Sequence, residues 1–273
     1  MKKNFTKKLM AAAILLVTAV SPSWADYTIT KSNGEPAVEG TDYVICQPDL
    51  PTYTYLELKS NDLVLSGEFD IAVFPNISDC KLTLKDVTIT SNQYQGALLF
   101  TNTPANLVLE GTNRLVSTSE TGAAIHVYNS GKDLTFTGSG ELYMTSQKKY
   151  SKEDGPSYDC SCLFFTKMTK IDQEYKYTLT AKGFTIKGST EYNADMSTLA
   201  DVEVVSYIYE FENHDYHVCS IMIGDAVCNT VWMKGPEPDA EYVVVTNKEG
   251  QKAYYKTSDV EKIEWLKGED ITE

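Results

Sequence analysis

The chain has 273 residues, with 38 acidic and 24 basic side chains and a formal charge of -14. That sign removes the attraction on which phosphate-backbone binding depends, so nucleic-acid recognition is excluded. With 42% hydrophobic and 23% charged residues, the composition is that of a globular protein with a buried core and not of a disordered or fibrous chain.

Residues 1–25 read as a secretory signal. Lys2, Lys3, Lys7 and Lys8 form the basic start, Leu9 to Val20 the apolar stretch, and Ser23-Trp24-Ala25 a small-x-small cleavage site. The apolar run is too short to span a bilayer, and no later segment approaches the roughly 20 residues required, so membrane insertion is not expected. Cleavage removes four lysines, takes the charge from -14 to -18, and sends the protein to the periplasm, the cell surface or the medium. Cys46, Cys80, Cys160, Cys162, Cys219 and Cys228 all remain, an even number in a compartment where disulfides persist. Cys219 and Cys228 flank a strand, a Gly224-Asp225 turn and a second strand, which makes them either a local disulfide or two buried thiols.

Residues 26–62, with Thr28-Ile-Thr30, an Asn33-Gly34 turn and Tyr43-Val-Ile45, read as a hairpin cap. A repeat then begins. Its first strand recurs as Leu63-Val-Leu65, Leu82-Thr-Leu84, Leu107-Val-Leu109 and Leu134-Thr-Phe136, with a degenerate copy at Tyr177-Thr-Leu179. Gly67, Gly111 and Gly138 follow at matching corners, where positive φ is needed. The third strand recurs as Gly96-Ala-Leu-Leu-Phe100, Gly122-Ala-Ala-Ile-His126 and Ser161-Cys-Leu-Phe-Phe165. Its alternation points Ala97 and Leu99, Ala123 and Ile125, and Cys162 and Phe164 inward. Three short strands per repeat of about 25 residues predict an all-β, right-handed parallel β-helix of four to five short coils over residues 63–199. An antiparallel sandwich is the competing architecture. From residue 200 to 273 the alternating segments and Gly/Pro turns predict a small antiparallel β region, with Ser258 to Trp265 as one helical turn or an edge strand.

At Leu82-Thr-Leu-Lys-Asp-Val-Thr-Ile89, Asn106-Leu-Val-Leu-Glu-Gly-Thr-Asn113, Gly122-Ala-Ala-Ile125 and Asp133-Leu-Thr-Phe-Thr-Gly-Ser-Gly-Glu-Leu142, the chain resembles the secreted bacterial β-helical carbohydrate-binding domain family. The resemblance covers residues 60 to 190 and lies in motifs of the fold. It implies non-catalytic binding of cellulose-like or pectin-like polysaccharides, with calcium as a cofactor.

Two places suit such binding. The stated alternation leaves Phe100, His126, Tyr128 and Phe165 on an outward ladder, and aromatic faces pack against the C–H faces of sugar rings. The same stripe is also what the C-terminal β region would cover, since large exposed apolar patches are rare. The insertion Thr145 to Asp159 adds Tyr150 and Tyr158 for stacking, and Glu153, Asp154 and Asp159 as the oxygen ligands that Ca²⁺ prefers. Those carboxylates match no spaced calcium motif and also fit a plain charged loop. A cation held there would bridge an acidic protein to an acidic glycan, whereas neutral glycans need no bridge. His214-Asp-Tyr-His217-Val-Cys219 carries metal-capable side chains but lacks a fourth ligand in any zinc spacing.

Catalysis is not expected, because no repeated Asp cluster with a basic partner, Gly-x-Ser-x-Gly, His-Glu-x-x-His or P-loop is present. The sequence therefore predicts an exported polysaccharide-binding protein, with calcium structural or bridging. A surface adhesin or purely structural β-helix is the alternative and a pectate-lyase-like enzyme the more distant one. A protein partner at the C-terminal region is left open.

Overall fold

The computed structural model describes residues 27–47, 54–93, 96–101, 104–120, 122–128, 133–147, 162–170, 178–211, 214–237, 242–246 and 252–256. Residues 1–25, residues 148–161, which hold most of the 145–159 insertion, and residues 258–265 lie outside them. The chain forms two compact units, one ending at Gly235 and one beginning at Pro236. In the second unit Tyr242–Thr246 pairs antiparallel with Lys252–Lys256.

The first unit is all-β among its described residues, apart from a single 3-10 turn at Met196–Thr198. Its strands form two mixed sheets. In the larger, Leu63–Phe69, Cys80–Ser91, Ala105–Glu110, Asp133–Gly138 and Thr178–Thr180 pair parallel in that order. The second half of Cys80–Ser91 also pairs parallel with Thr112–Ser117, which pairs with Glu141–Ser146. Three C-terminal segments then add antiparallel: Thr230–Lys234, Thr185–Ser189 and Ala200–Asp201. In the second sheet Tyr55–Leu58, Ala72–Pro75, Leu98–Phe100, Ile125–Tyr128 and Leu163–Lys170 pair parallel. His214–Ile223 and Glu203–Phe211 extend it antiparallel at one edge, and Tyr43–Cys46 does so at the other.

The core between the sheets is a set of apolar rungs. Leu63, Leu82, Leu107 and Phe136 stack in register and are buried. The first two sequence steps are therefore the structural ones, but the third is not. Leu134 stands beside Ala105 and Leu179, so the register at this copy slips by two residues, which preserves which face is buried. Gly67, Gly111 and Gly138 all adopt positive φ, as the corners require, but on different rungs. Gly138 lies beside Leu109, where a Cβ would collide with the Leu109 carbonyl oxygen.

The second sheet corrects the expected alternation in its first and third copies, whereas in the second Ile125 faces the core and Tyr128 is exposed, as expected. Ala97 and Leu98, Ala124 and Ile125, and Cys162 and Leu163 are consecutive pairs buried in one core cluster. The chain turns a corner there, so alternation starts at the second member of each pair. Phe100 and Phe165 consequently point inward, in register with Val127 and fully buried, and are not members of an outward ladder. Leu99, His126 and Phe164 take the opposite face, where Phe164 packs with Ala123 and Val218.

The N-terminal segments also differ from a single hairpin. Tyr27–Lys31 pairs antiparallel with Leu63–Phe69, while Tyr43–Cys46 pairs with Tyr55–Leu58 of the other sheet. Asp42 ties the two together. Its carboxylate accepts from the Val38 N–H at 2.8 Å and the Ser60 hydroxyl at 2.7 Å, and meets the Lys31 ammonium at 3.3 Å. These donors, the Val38 N–H foremost, hold its pKa below the ordinary aspartate value against the opposing effect of desolvation. A lowered folded pKa means stability present above the unfolded value of about 4 and lost as pH falls through the folded one. In urea titrations at pH 7 and pH 3, Asp42→Asn is expected to lose less stability on acidification than wild type. Equal acid sensitivity would discard this assignment.

Of the two readings of Cys219 and Cys228 the structure has the second, two buried thiols, and Cys46, Cys80 and Cys162 are thiols as well. The Gly224 turn sets Met222 opposite Val227, and the Cys228 N–H donates to the Ile221 carbonyl at 2.9 Å. Cys219 is thus two residues out of register with Cys228. That offset, about 6.8 Å along the strand on top of the roughly 5 Å strand spacing, puts the Cα atoms about 8 Å apart, beyond disulfide reach.

Candidate functional site

Period-two alternation places a row of large polar and aromatic side chains on the outer face of the larger sheet. Arg114 alternates with buried Asn113 and Leu115, Tyr143 with Leu142 and Met144, and Trp232 with Val231 and Met233. The strand registers put Thr88 beside Arg114, Arg114 beside Tyr143, Tyr143 beside Trp232, and Trp232 beside Lys187. Arg114, Tyr143, Trp232 and Lys187 are all half-buried. A neighbouring row carries Thr112, Glu141 and Lys234.

Over this floor stands a lip formed by residues 193–196. Asn193 adopts φ of 54°, and Asp195 caps the following 3-10 turn. The lip is fastened from beneath by two buried threonines. The Thr145 hydroxyl accepts the Asn193 N–H at 2.8 Å, and the Thr230 hydroxyl donates to the Glu191 carbonyl at 2.7 Å and accepts the Ala194 N–H at 3.2 Å. Floor and lip enclose a cleft of about 540 Å³ lined by Arg114, Glu141, Tyr143, Asp195, Met196 and Trp232 among others. That volume is within the range of small-ligand sites. Met196 is 47% exposed at its edge.

The polar groups of the cleft are fixed by one another. The Arg114 guanidinium lies 4.3 Å over the Tyr143 ring and donates to the Asn193 side-chain oxygen. The Tyr143 hydroxyl donates to the Ala194 carbonyl at 2.7 Å. Glu141 accepts from the Trp232 indole N–H at 3.3 Å and pairs with the Lys234 ammonium at 3.2 Å. Asp195 accepts from the Ser197 hydroxyl at 2.6 Å and the Ser197 N–H at 2.8 Å, which hold its pKa below the ordinary aspartate value. Arg114 forms no ion pair with a carboxylate among the described residues. The cleft therefore presents aromatic surface, hydrogen-bonding groups and a cation in a rigid frame.

None of the expected site residues that the structure describes lines this cleft. Phe100 and Phe165 are core residues. His126 is half-buried between Tyr128 at 5.5 Å and Phe164 at 5.3 Å between ring centroids, and Tyr128 is exposed. Tyr150, Glu153, Asp154, Tyr158 and Asp159 lie outside the described residues, as do the side chains of His214 and His217. Among the described residues no group of three or more His, Cys, Asp or Glu side chains is placed to hold a metal ion. No helix among them is long and apolar enough to cross a membrane. The signal that sequence reasoning missed is local: in Leu142-Tyr143-Met144 and Val231-Trp232-Met233 a polar-edged aromatic stands between two core residues and must project outward.

No family model, no curated protein and no solved structure matches this chain.

Proposed function

We propose that this is an exported, non-catalytic polysaccharide-binding protein, that its first unit is a short right-handed parallel β-helix, and that its glycan lies in the Tyr143–Trp232 cleft. The observation that carries the reading is the pair of half-buried aromatics in register on adjacent strands, bordered by Arg114, Asn193 and Glu141. Sugar rings need apolar faces to stack on and fixed polar groups for their hydroxyls, and this cleft offers both. Successive parallel rungs in both sheets support the β-helix, and parallel crossovers are overwhelmingly right-handed. The resemblance over residues 60–190 points the same way.

The two cleft carboxylates support holding over catalysis. Glu141 is engaged by Lys234 and Trp232, and Asp195 by the Ser197 hydroxyl and N–H, so both are held as fixed hydrogen-bonding groups. Calcium, which the resemblance implies, is assigned to the carboxylates of 153–159, and the aromatic faces and hydrogen-bonding groups of the cleft need no cation to hold a neutral glycan, so binding there is expected to survive a chelator.

The test is a pull-down on insoluble cellulose-like and pectin-like polysaccharides, with calcium and with chelator, comparing wild type with Trp232→Ala. Retention of wild type and a roughly 10- to 100-fold weaker variant are expected, the range for a buried aromatic anchor. Binding that vanishes with chelator and ignores Trp232 would move the site to the carboxylates of 153–159. No binding to any glycan would leave a structural or adhesive β-helix.

A further inference from the structure

Cys228 lies where the last antiparallel strands meet the parallel stack. Cys219 is out of its reach, as the register shows, and Cys219 stands opposite Phe165, three residues along from Cys162. Cys46 lies on the opposite edge strand of the second sheet, and Cys80 on a strand that two others separate from Thr230–Lys234. On its remaining side, the Cys228 carbonyl accepts the Cys162 N–H at 2.9 Å. Backbones joined in this way run about 5 Å apart, inside the Cα range of roughly 4.4–6.8 Å that a disulfide spans. Both cysteine side chains are fully buried and belong to the same core cluster.

We propose that Cys162 and Cys228 form a disulfide when the chain folds in an oxidising compartment, stapling the last parallel strand of the second sheet to the C-terminal strands. The reaction is two successive thiol–disulfide exchanges with an external disulfide, either glutathione disulfide or that of a dithiol oxidase. One cysteine thiolate attacks it, forms a mixed disulfide and releases one thiol. The second thiolate then attacks the mixed disulfide, the Cys162–Cys228 bond forms, and the second external thiol leaves. Two electrons pass to the external disulfide, and the two cysteine protons end on the released thiols.

Burial pushes the Cys228 thiol up to about 12, and both burial and the neighbouring Cys228 push Cys162 well above the ordinary value. The folded thiols are thus protonated and shielded, which places the exchange before the C-terminal strands seat. Asn193 to Met196 lie within the closed loop and Trp232 lies four residues beyond it, so the cross-link also steadies both walls of the cleft.

The full chain is unfolded in reductant and refolded in a glutathione redox buffer, as wild type and as Cys160→Ser, which removes the thiol two residues from Cys162 in sequence. Remaining thiols are alkylated in denaturant and the digest is sequenced by tandem mass spectrometry. A Cys162–Cys228 cross-linked peptide is expected in both proteins. Tm should lie on the order of 5–15 °C above that of the same sample in reductant, a difference that Cys228→Ala and Cys162→Ala lack. Recovery of both cysteines as alkylated thiols, or of Cys228 joined to Cys160 or Cys219, would overturn the proposal whatever the glycan experiments show.

Discussion

Phe165→Ala is expected to destabilise the first unit by about 3–5 kcal/mol, read as a lower urea midpoint at unchanged slope. The ring is fully buried, on a rung where Val127 stands between Phe100 and Phe165. A large–small–large rung fills the width of the core. Collapse into the vacated volume is resisted because backbone hydrogen bonds fix the spacing of neighbouring strands on both sides, Ile125–Tyr128 and His214–Ile223. Phe100→Ala is expected to fall in the same range. Tyr128→Ala, at a residue that is 42% exposed, should change stability by within about 0.5 kcal/mol. The comparison separates two assignments of the same residues. If Phe165→Ala left stability unchanged and instead abolished glycan retention, Phe165 would be a surface contact and the inward parity of this strand would be wrong.

That parity shows where sequence pattern stopped being informative. The repeated strands were legible because each rung needs an apolar residue in the same place, and Leu63, Leu82 and Leu107 recur at it. The parity of the second sheet was not legible in its first and third copies, where alternation starts at Leu98 and Leu163 and not at Ala97 and Cys162, whereas from Ala123 the pattern puts Ile125 inward, as found. At a corner two consecutive residues both face the core, so a count begun one residue early inverts every later assignment. The cleft was hidden for a different reason. Arg114, Tyr143 and Trp232 are far apart in sequence, and Trp232 arrives on an antiparallel strand that belongs to no repeat. Each lies in a clear local alternation, but their adjacency depends on which strand edges meet, and that is set by the whole sheet. The Gly224-Asp225 turn was readable as a turn, whereas the two-residue register offset that separates Cys219 from Cys228 was not.

Asn113 carries the second large expected effect. It occupies an inward position on Thr112–Ser117 and is fully buried, where an apolar residue would be anticipated. Its side-chain oxygen accepts the Val87 N–H at 3.1 Å, and its amide donates to the Glu110 and Glu141 carbonyls, each at 3.1 Å. Val87 belongs to the preceding strand of the stack and Glu141 to the following one, so one amide bonds three consecutive levels at the point where the chain leaves its Gly111 corner. Asn113→Leu keeps the volume and strips all three bonds. With about 1–3 kcal/mol for each buried group left unsatisfied, and some return from added apolar contact, a loss of about 3–5 kcal/mol is expected. Asn113→Asp should be worse at pH 7. It keeps an acceptor for Val87 but sets a carboxylate against two carbonyl oxygens, and burial then favours its protonated form, so part of the loss should return as pH is lowered toward 4. Urea midpoints at pH 7 and pH 4 for wild type and both variants decide the matter. A leucine variant as stable as wild type would mean that the rungs hold their register through apolar packing alone, with the amide a passenger at the corner.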